Sequence, residues 1–189
     1  MIRIGILGNI GSGKSYIAKN FGFPVFNADL EVAKLYQKDK KIFKKLKSIL
    51  PKIFKSFPIK KKKVLEAILA DKNNLKKIIK IVHLEIKKKM KIFLNQNKNS
   101  QIVILDIPLL LENKINKKND ILIFVQSKKS EILKRLKIRK NFNLNIFNKF
   151  ESIQLPLEYK KKKSNFIIKN NFKTISVKKD IKVILGKIL

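Results

Sequence analysis

The chain has 189 residues, no cysteine and a formal net charge of +33 at pH 7, from 46 Lys and Arg against 13 Asp and Glu. That length suits one compact domain with a helical insertion. The missing cysteines exclude a disulfide framework and thiolate chemistry, and no apolar run approaches a membrane span. A strand and a glycine loop stand where a secretory signal would need a longer apolar region, so a cytoplasmic, membrane-independent protein is expected.

Of the 46 basic residues only Arg3, Arg135 and Arg139 are arginine. Lysine lies on every polar face, not in one stripe with interleaved aromatics, so a solvated surface is expected and no specific nucleic-acid partner. Arginines that persist in such a chain mark places that need a planar, bidentate guanidinium.

Ile2-Arg3-Ile4-Gly5-Ile6-Leu7 is long enough for one buried strand. It runs into Gly8-Asn9-Ile10-Gly11-Ser12-Gly13-Lys14-Ser15, the G-x-x-x-x-G-K-S pattern of a P-loop. Ile17, Ala18 and Phe21 follow at helical spacing, and Gly22 and Pro24 stop that helix. Glycines let backbone N–H groups close around phosphate oxygens, and the helix adds its positive end. Gly8 to Ser15 are therefore the expected ATP-binding residues. Lys14 is expected on the β- and γ-phosphates and the Ser15 hydroxyl on Mg²⁺.

Pro24-Val25-Phe26-Asn27-Ala28-Asp29 reads as a second short strand ending in a polar pair. Ligands of open α/β sheets gather at such strand ends, which puts Asp29 near a phosphoryl acceptor. Capping the next helix is its other role, and the two are compatible. From about Lys38 to Asn97 the chain is helical and lysine-rich. Apolar faces run over Ile42–Leu50, Ile53–Phe57, Val64–Leu69 and Leu75–Phe93. His83, the only histidine, stands beside Val82 at the edge of an apolar face, as a packed structural histidine does.

Ile102-Val103-Ile104-Leu105-Asp106 is a continuous apolar run ending in a carboxylate, which suits a buried parallel strand with Asp106 turned toward Mg²⁺ or its waters. Accepting loop N–H groups is its plainer role. Ile121–Val125 is the next strand, and Ser127 is expected to cap the helix after it. Arg135 and Arg139 stand four residues apart on that helix, so both project from one face. They suit clamping of a transferring phosphate, against the alternative of two surface charges. A second lid helix carries Ile146, Phe147, Phe150 and Ile153. Phe166-Ile167-Ile168 is a fifth strand, and Ile181, Ile184, Leu185 and Ile188 mark a closing helix.

The expected fold class is α/β, a P-loop nucleotide-kinase-like parallel sheet of five strands flanked by helices. Residues 1–37, 98–126 and 164–189 form its nucleotide-binding core, 38–97 a helical acceptor-substrate insertion and 127–163 a lid.

These pieces in this order resemble the dephospho-CoA kinase family over nearly the whole chain. Ile4 to Ser15 resembles the family's G-L-T-G-G-I-G-S-G-K-S opening, and Asn27-Ala28-Asp29 with Ala33 its D-A-D-x-x-A. Asp106-Ile107-Pro108-Leu109-Leu110-Leu111-Glu112 resembles D-I-P-L-L-F-E, the most diagnostic stretch. Arg135-Leu136 with Arg139 resembles R-L-x-x-R, and Gln154-Leu155-Pro156 with Lys160 and Phe166–Asn170 resembles the family's tail. The departures are Asn27 for the first acid of D-A-D, Leu84 for a proline after the histidine, Ser164-Asn165 for Ala-Asp, and Lys60-Lys61 for an acid-arginine pair.

The resemblance implies transfer of the γ-phosphoryl of ATP to the ribose 3′-hydroxyl of dephospho-CoA, with Mg²⁺; a monomer is expected. It makes Asp29, Lys14, Arg135 and Arg139 the catalytic set and Ser15 and Asp106 the metal set. Leu109, Leu110, His83 and Asp29 become acceptor contacts. A small-molecule kinase with a nucleoside or nucleotide acceptor is the nearest alternative, and a basic nucleic-acid-binding ATPase the alternative from another class.

Overall fold

The computed structural model describes residues 1–138 and 142–189. Five strands form one sheet in the order β2-β3-β1-β4-β5. They are β1 (Ile2–Gly8), β2 (Val25–Asn27), β3 (Ile102–Asp106), β4 (Ile121–Gln126) and β5 (Phe166–Lys169). Every neighbouring pair is parallel. β2 and β3 lie to one side of β1 and β4 and β5 to the other, so β1 sits at the switch point where open α/β sheets take their ligands.

The chain packs as two compact units. The first comprises Met1–Asn27, Asn97–Asn143 and Phe150–Leu189, and carries the sheet. Ile4, Ile6, Ile104, Ile123 and Val125 turn one face of it toward Ile17 and Ala18 of α1 (Lys14–Asn20) and Val177, Ile181 and Ile184 of α9 (Thr174–Ile188). Alternation then sends Arg3 and Gly5 to the opposite face. There the buried Arg3 donates to Asp120 Oδ2 at 3.0 Å, and Asp120 also accepts from the Lys117 N–H at 2.8 Å. One of the three scarce arginines is thus structural.

The second unit comprises Ala28–Gln96 and Leu144–Lys149. In it α5 (Lys72–Gln96) packs against α2 (Ala28–Lys38), α3 (Lys40–Ile49) and α4 (Lys61–Ala70). Asp39 caps α3 by accepting from the N–H groups of Lys41 and Ile42. The other end of α4 is satisfied from outside: Asn74 Nδ2 donates to Ala67 O at 2.8 Å and Lys149 Nζ to Ile68 O at 2.6 Å.

Three local expectations differ from the structure. β2 is only three residues long, and Asp29 lies in the first turn of α2. Residues 51–60 hold no helix where a face over Ile53, Phe54 and Phe57 is expected. Pro51 and Pro58 bracket that segment, each without an N–H and each restricting the residue before it. It is anchored instead by buried Phe54 and Ile59, with the Ile59 N–H on Tyr36 O at 2.9 Å. Burial in that neighbourhood pushes the Tyr36 hydroxyl up to about 12. Finally, α6 (Lys129–Lys137) starts after Lys128 with no side-chain cap, and Ser127 serves elsewhere.

Candidate active site

The glycine loop leaves β1 at its carboxyl end. Gly8 has φ 142°, and a Cβ there would meet the Val125 carbonyl oxygen at 2.7 Å, so only glycine turns the chain this close to β4. Two strand ends then brace the loop through one atom. The Ser12 carbonyl accepts from Asn170 Nδ2, after β5, at 2.8 Å and from Ser127 Oγ, after β4, at 3.0 Å. Ser127 thus ties the loop down and does not cap α6. Asn170 Oδ1 in turn accepts from the Phe172 N–H at 2.8 Å. Asn9 uses Oδ1 to hold the Ile10 N–H at 2.7 Å and Nδ2 to reach Glu151 Oε1 at 3.4 Å.

Lys14 Nζ lies across the loop, donating to Asn9 O at 2.8 Å and Gly8 O at 3.1 Å. Lys14 opens α1, where the first N–H groups have no acceptor within the helix. An ammonium held by two carbonyls beside such N–H groups has the chemistry of a phosphate cradle. Those carbonyls are replaceable partners when phosphate oxygens arrive.

Beyond Lys14, three side chains from three elements meet. In the β2–β3 register Asn27 lies opposite Asp106, which is 3 % exposed. Asn27 Nδ2 donates to Asp106 Oδ2 and lies 3.5 Å from Ser15 Oγ. Among the described residues no group of three or more His, Cys, Asp or Glu could hold a metal ion by itself. A hydroxyl and one carboxylate nevertheless fit Mg²⁺, a hard cation that keeps several waters and shares phosphate oxygens.

On α6, the exposed Arg135 lays its guanidinium 4.4 Å from the centre of the Phe172 ring. That distance suits a cation–π contact. Arg139 lies outside the described residues. Leu109 is partly exposed, whereas Leu110 is fully buried, packed over Gly5. Of the two, only Leu109 has surface to offer a ligand.

Asp29 and His83 belong to the second unit. Asp29 is exposed in the first turn of α2, two residues beyond Asn27 along the chain. His83 is half-buried on α5, and its Nε2 has no hydrogen-bond partner among the described residues. Burial first, and the Lys87 ammonium second, hold its pKa below the ordinary 6.5. The imidazole is therefore neutral at pH 7. Its contribution to stability is complete above 6.5 and declines as pH falls below that value, because the unfolded chain takes the proton first. An NMR titration is expected to show a midpoint under 6.5. Lys87→Gln is expected to raise it only part of the way back, since burial is the larger cause.

One network is not anticipated by the motifs. Lys160, 1 % exposed, pairs with Glu112 Oε1 at 2.7 Å and Gln154 Oε1 at 2.9 Å. Glu112 Oε1 also accepts from the Leu155 N–H at 3.0 Å. Nothing in composition distinguishes Lys160 from 42 solvated-looking lysines, the chain having 46 Lys and Arg of which three are Arg. Only its place in the tail resemblance marks it.

A parallel sheet with this loop at the carboxyl end of its central strand, a lysine across the loop and a hydroxyl–carboxylate pair beside it is the frame of a P-loop kinase. Comparison with known proteins narrows that class. The family model described as dephospho-CoA kinase matches residues 2–175, and the chain belongs to that family. It is 35 % identical over 170 residues to the dephospho-CoA kinase of Wolbachia sp. subsp. Brugia malayi, covering 87 % of each chain. A crystal structure of a Thermus thermophilus protein superposes with a TM-score of 0.81 at 25 % identity, over 100 % of this chain and 98 % of that one. The Campylobacter jejuni dephospho-CoA kinase shares the fold, with a TM-score of 0.63 at 23 % identity over 98 % and 96 % of the two chains. Among the described residues no helix is long and apolar enough to cross a membrane.

Proposed function

We propose that this kinase transfers the γ-phosphoryl of ATP to the ribose 3′-hydroxyl of dephospho-CoA, giving coenzyme A and ADP. Membership in the dephospho-CoA kinase family supports the reaction, and the observation that carries the mechanism is the Lys14 ammonium seated within its own loop beside Ser15, Asn27 and Asp106. The bond that forms joins the 3′-oxygen to the γ-phosphorus. The bond that breaks joins that phosphorus to the β,γ-bridging oxygen, which leaves on ADP.

Each residue then has a distinct task. The backbone N–H groups from Ile10 to Ser15 hold the phosphates, and Lys14 exchanges its two carbonyl partners for β- and γ-oxygens. Ser15 and Asp106 would hold Mg²⁺, which would supply neutralisation of phosphate charge when bound. Asp29 orients the acceptor hydroxyl and takes its proton. Arg135, over the Phe172 ring, spreads the charge on the transferring group, with Arg139 as its partner by spacing. Leu109 and His83 contact the acceptor, whereas Leu110, buried over Gly5, does not.

Arg135→Lys keeps the charge but loses the fork and its stack, which at an exposed site is worth ~0.5–1 kcal/mol, or about two- to fivefold. Steady-state kinetics are expected to show kcat lowered by at least that factor at an unchanged melting temperature. An unchanged kcat would remove Arg135 from the mechanism.

The reaction itself is tested by mass spectrometry of dephospho-CoA incubated with the protein, ATP and Mg²⁺, beside a panel of nucleosides and nucleotides. A gain of one phosphoryl on dephospho-CoA alone, lost in Lys14→Ala protein, is expected. Gain on a panel member in its place would reassign the acceptor.

A further inference from the structure

Phe172 holds a backbone conformation that its side chain disfavours. Its φ is 63°, in the left-handed region where a Cβ is crowded by the neighbouring carbonyl oxygen. One side chain secures that conformation. Asn170 Oδ1 accepts from the Phe172 N–H at 2.8 Å, while Asn170 Nδ2 donates to the Ser12 carbonyl at 2.8 Å. The strained residue and the glycine loop thus share one amide. Phe172 is only half-buried and stands outside the core cluster, so packing does not explain why the strain is kept.

What the conformation achieves is the placement of the ring. A Cβ built on Gly13, the residue before α1, would lie 3.6 Å from Phe172 Cε1. The Arg135 guanidinium of α6 lies 4.4 Å from the centre of the same ring. Among the described residues Arg135 has no hydrogen bond or ion pair, so the ring is the contact that ties it to the loop.

We propose that Phe172 is a positioning residue for Arg135: its left-handed backbone sets the ring between the start of α1 and α6, and the ring holds the guanidinium beside the phosphate-binding loop. The inference rests on the proposed function for what Arg135 does, and adds how Arg135 is held there. Strain accepted for the sake of another side chain has a signature, because one substitution then helps stability and harms turnover.

The test is calorimetry and steady-state kinetics on substitutions at the two positions, alone and combined. Glycine takes a φ of 63° without strain, so Phe172→Gly is expected to melt at or above wild type although it loses the ring. Phe172→Ala loses the ring and keeps the strain, and is expected to melt about 2–4 °C below Phe172→Gly. Both are expected to lower kcat about two- to fivefold, the worth of an exposed cation–π contact, with the KM for ATP unchanged. Phe172→Tyr keeps a ring face and is expected to keep wild-type kcat. Adding Phe172→Gly to Arg135→Ala is expected to lower kcat no further, since the ring then has no guanidinium to hold.

A Phe172→Gly protein that melts well below wild type, or that keeps wild-type kcat, would overturn the proposal. So would a raised KM for ATP at constant kcat, which would make the ring a nucleotide contact. A further fall in kcat on adding Phe172→Gly to Arg135→Ala would also overturn it. If Phe172→Ala does not fold, the glycine and tyrosine variants decide alone. Turnover is read as ADP formed with whichever acceptor the panel identifies, so a wrong acceptor assignment leaves this comparison intact and the two readings fail separately.

Discussion

Asp29→Asn protein is expected to bind ATP normally and to lose ~10²–10⁴ in kcat toward dephospho-CoA, the usual range for removing a general base. The substitution keeps size and shape and removes only the capacity to take a proton. Asp29 stands in the first turn of α2, where the positive helix end favours the ionised carboxylate. With Asn27 in place of an acid, Asp29 is the only carboxylate in the Asn27-Ala28-Asp29 stretch, so no neighbour there can substitute. Loss of kcat with the KM for ATP preserved is the signature, measured by steady-state kinetics with ATP and dephospho-CoA varied in turn. Full turnover at neutral pH would remove Asp29 as the base.

The largest stability effect is expected at Lys160. Lys160→Met leaves the Glu112 carboxylate facing only the Leu155 N–H, with its Oε2 already unpartnered among the described residues. Breaking a buried pair from one side costs ~3–5 kcal/mol. For a chain of this size that is a fall of about 10 °C in melting temperature. Replacing both partners removes the stranded charge, so Lys160→Met/Glu112→Leu is expected to recover most of the loss. Calorimetry of the single and double variants checks this. A single variant that melts within a degree or two of wild type would show that Lys160 is not needed to neutralise Glu112.

What could be read from the sequence divides by mechanism. β1, β3 and β4 stand out because strands buried on both faces are nearly continuous Ile, Leu and Val, as Ile102–Leu105 shows. The glycine loop is legible because its conformation demands glycine at spaced positions. The scarcity of arginine points to no site at Arg3, whose single-nitrogen ion pair with Asp120 is structural and carries no motif. Capping is less legible in the sequence. Ser127 looks like a helix cap by spacing, but its hydroxyl goes to Ser12 across 115 residues of chain, a choice made by tertiary position. The face over Ile53, Phe54 and Phe57 has helical spacing, and two prolines override it. Pairings such as Lys160 with Glu112 leave no local trace, because burial of a lysine is set by elements distant in sequence.

Asn27 lies between these cases. Its departure from the family pattern is visible in the sequence, but its hydrogen bond to Asp106 follows from strand register, which sequence alone does not supply. The same holds for Leu109 and Leu110. Adjacent in the motif, they differ in exposure because Leu110 fills the space over Gly5.

The most direct measurement is ³¹P NMR of a reaction containing the protein, ATP, Mg²⁺ and dephospho-CoA. The account predicts one new phosphomonoester resonance on the ribose 3′-oxygen, growing in step with ADP and absent when dephospho-CoA is withheld. ADP formed without that resonance, or a monoester at another position, would contradict it.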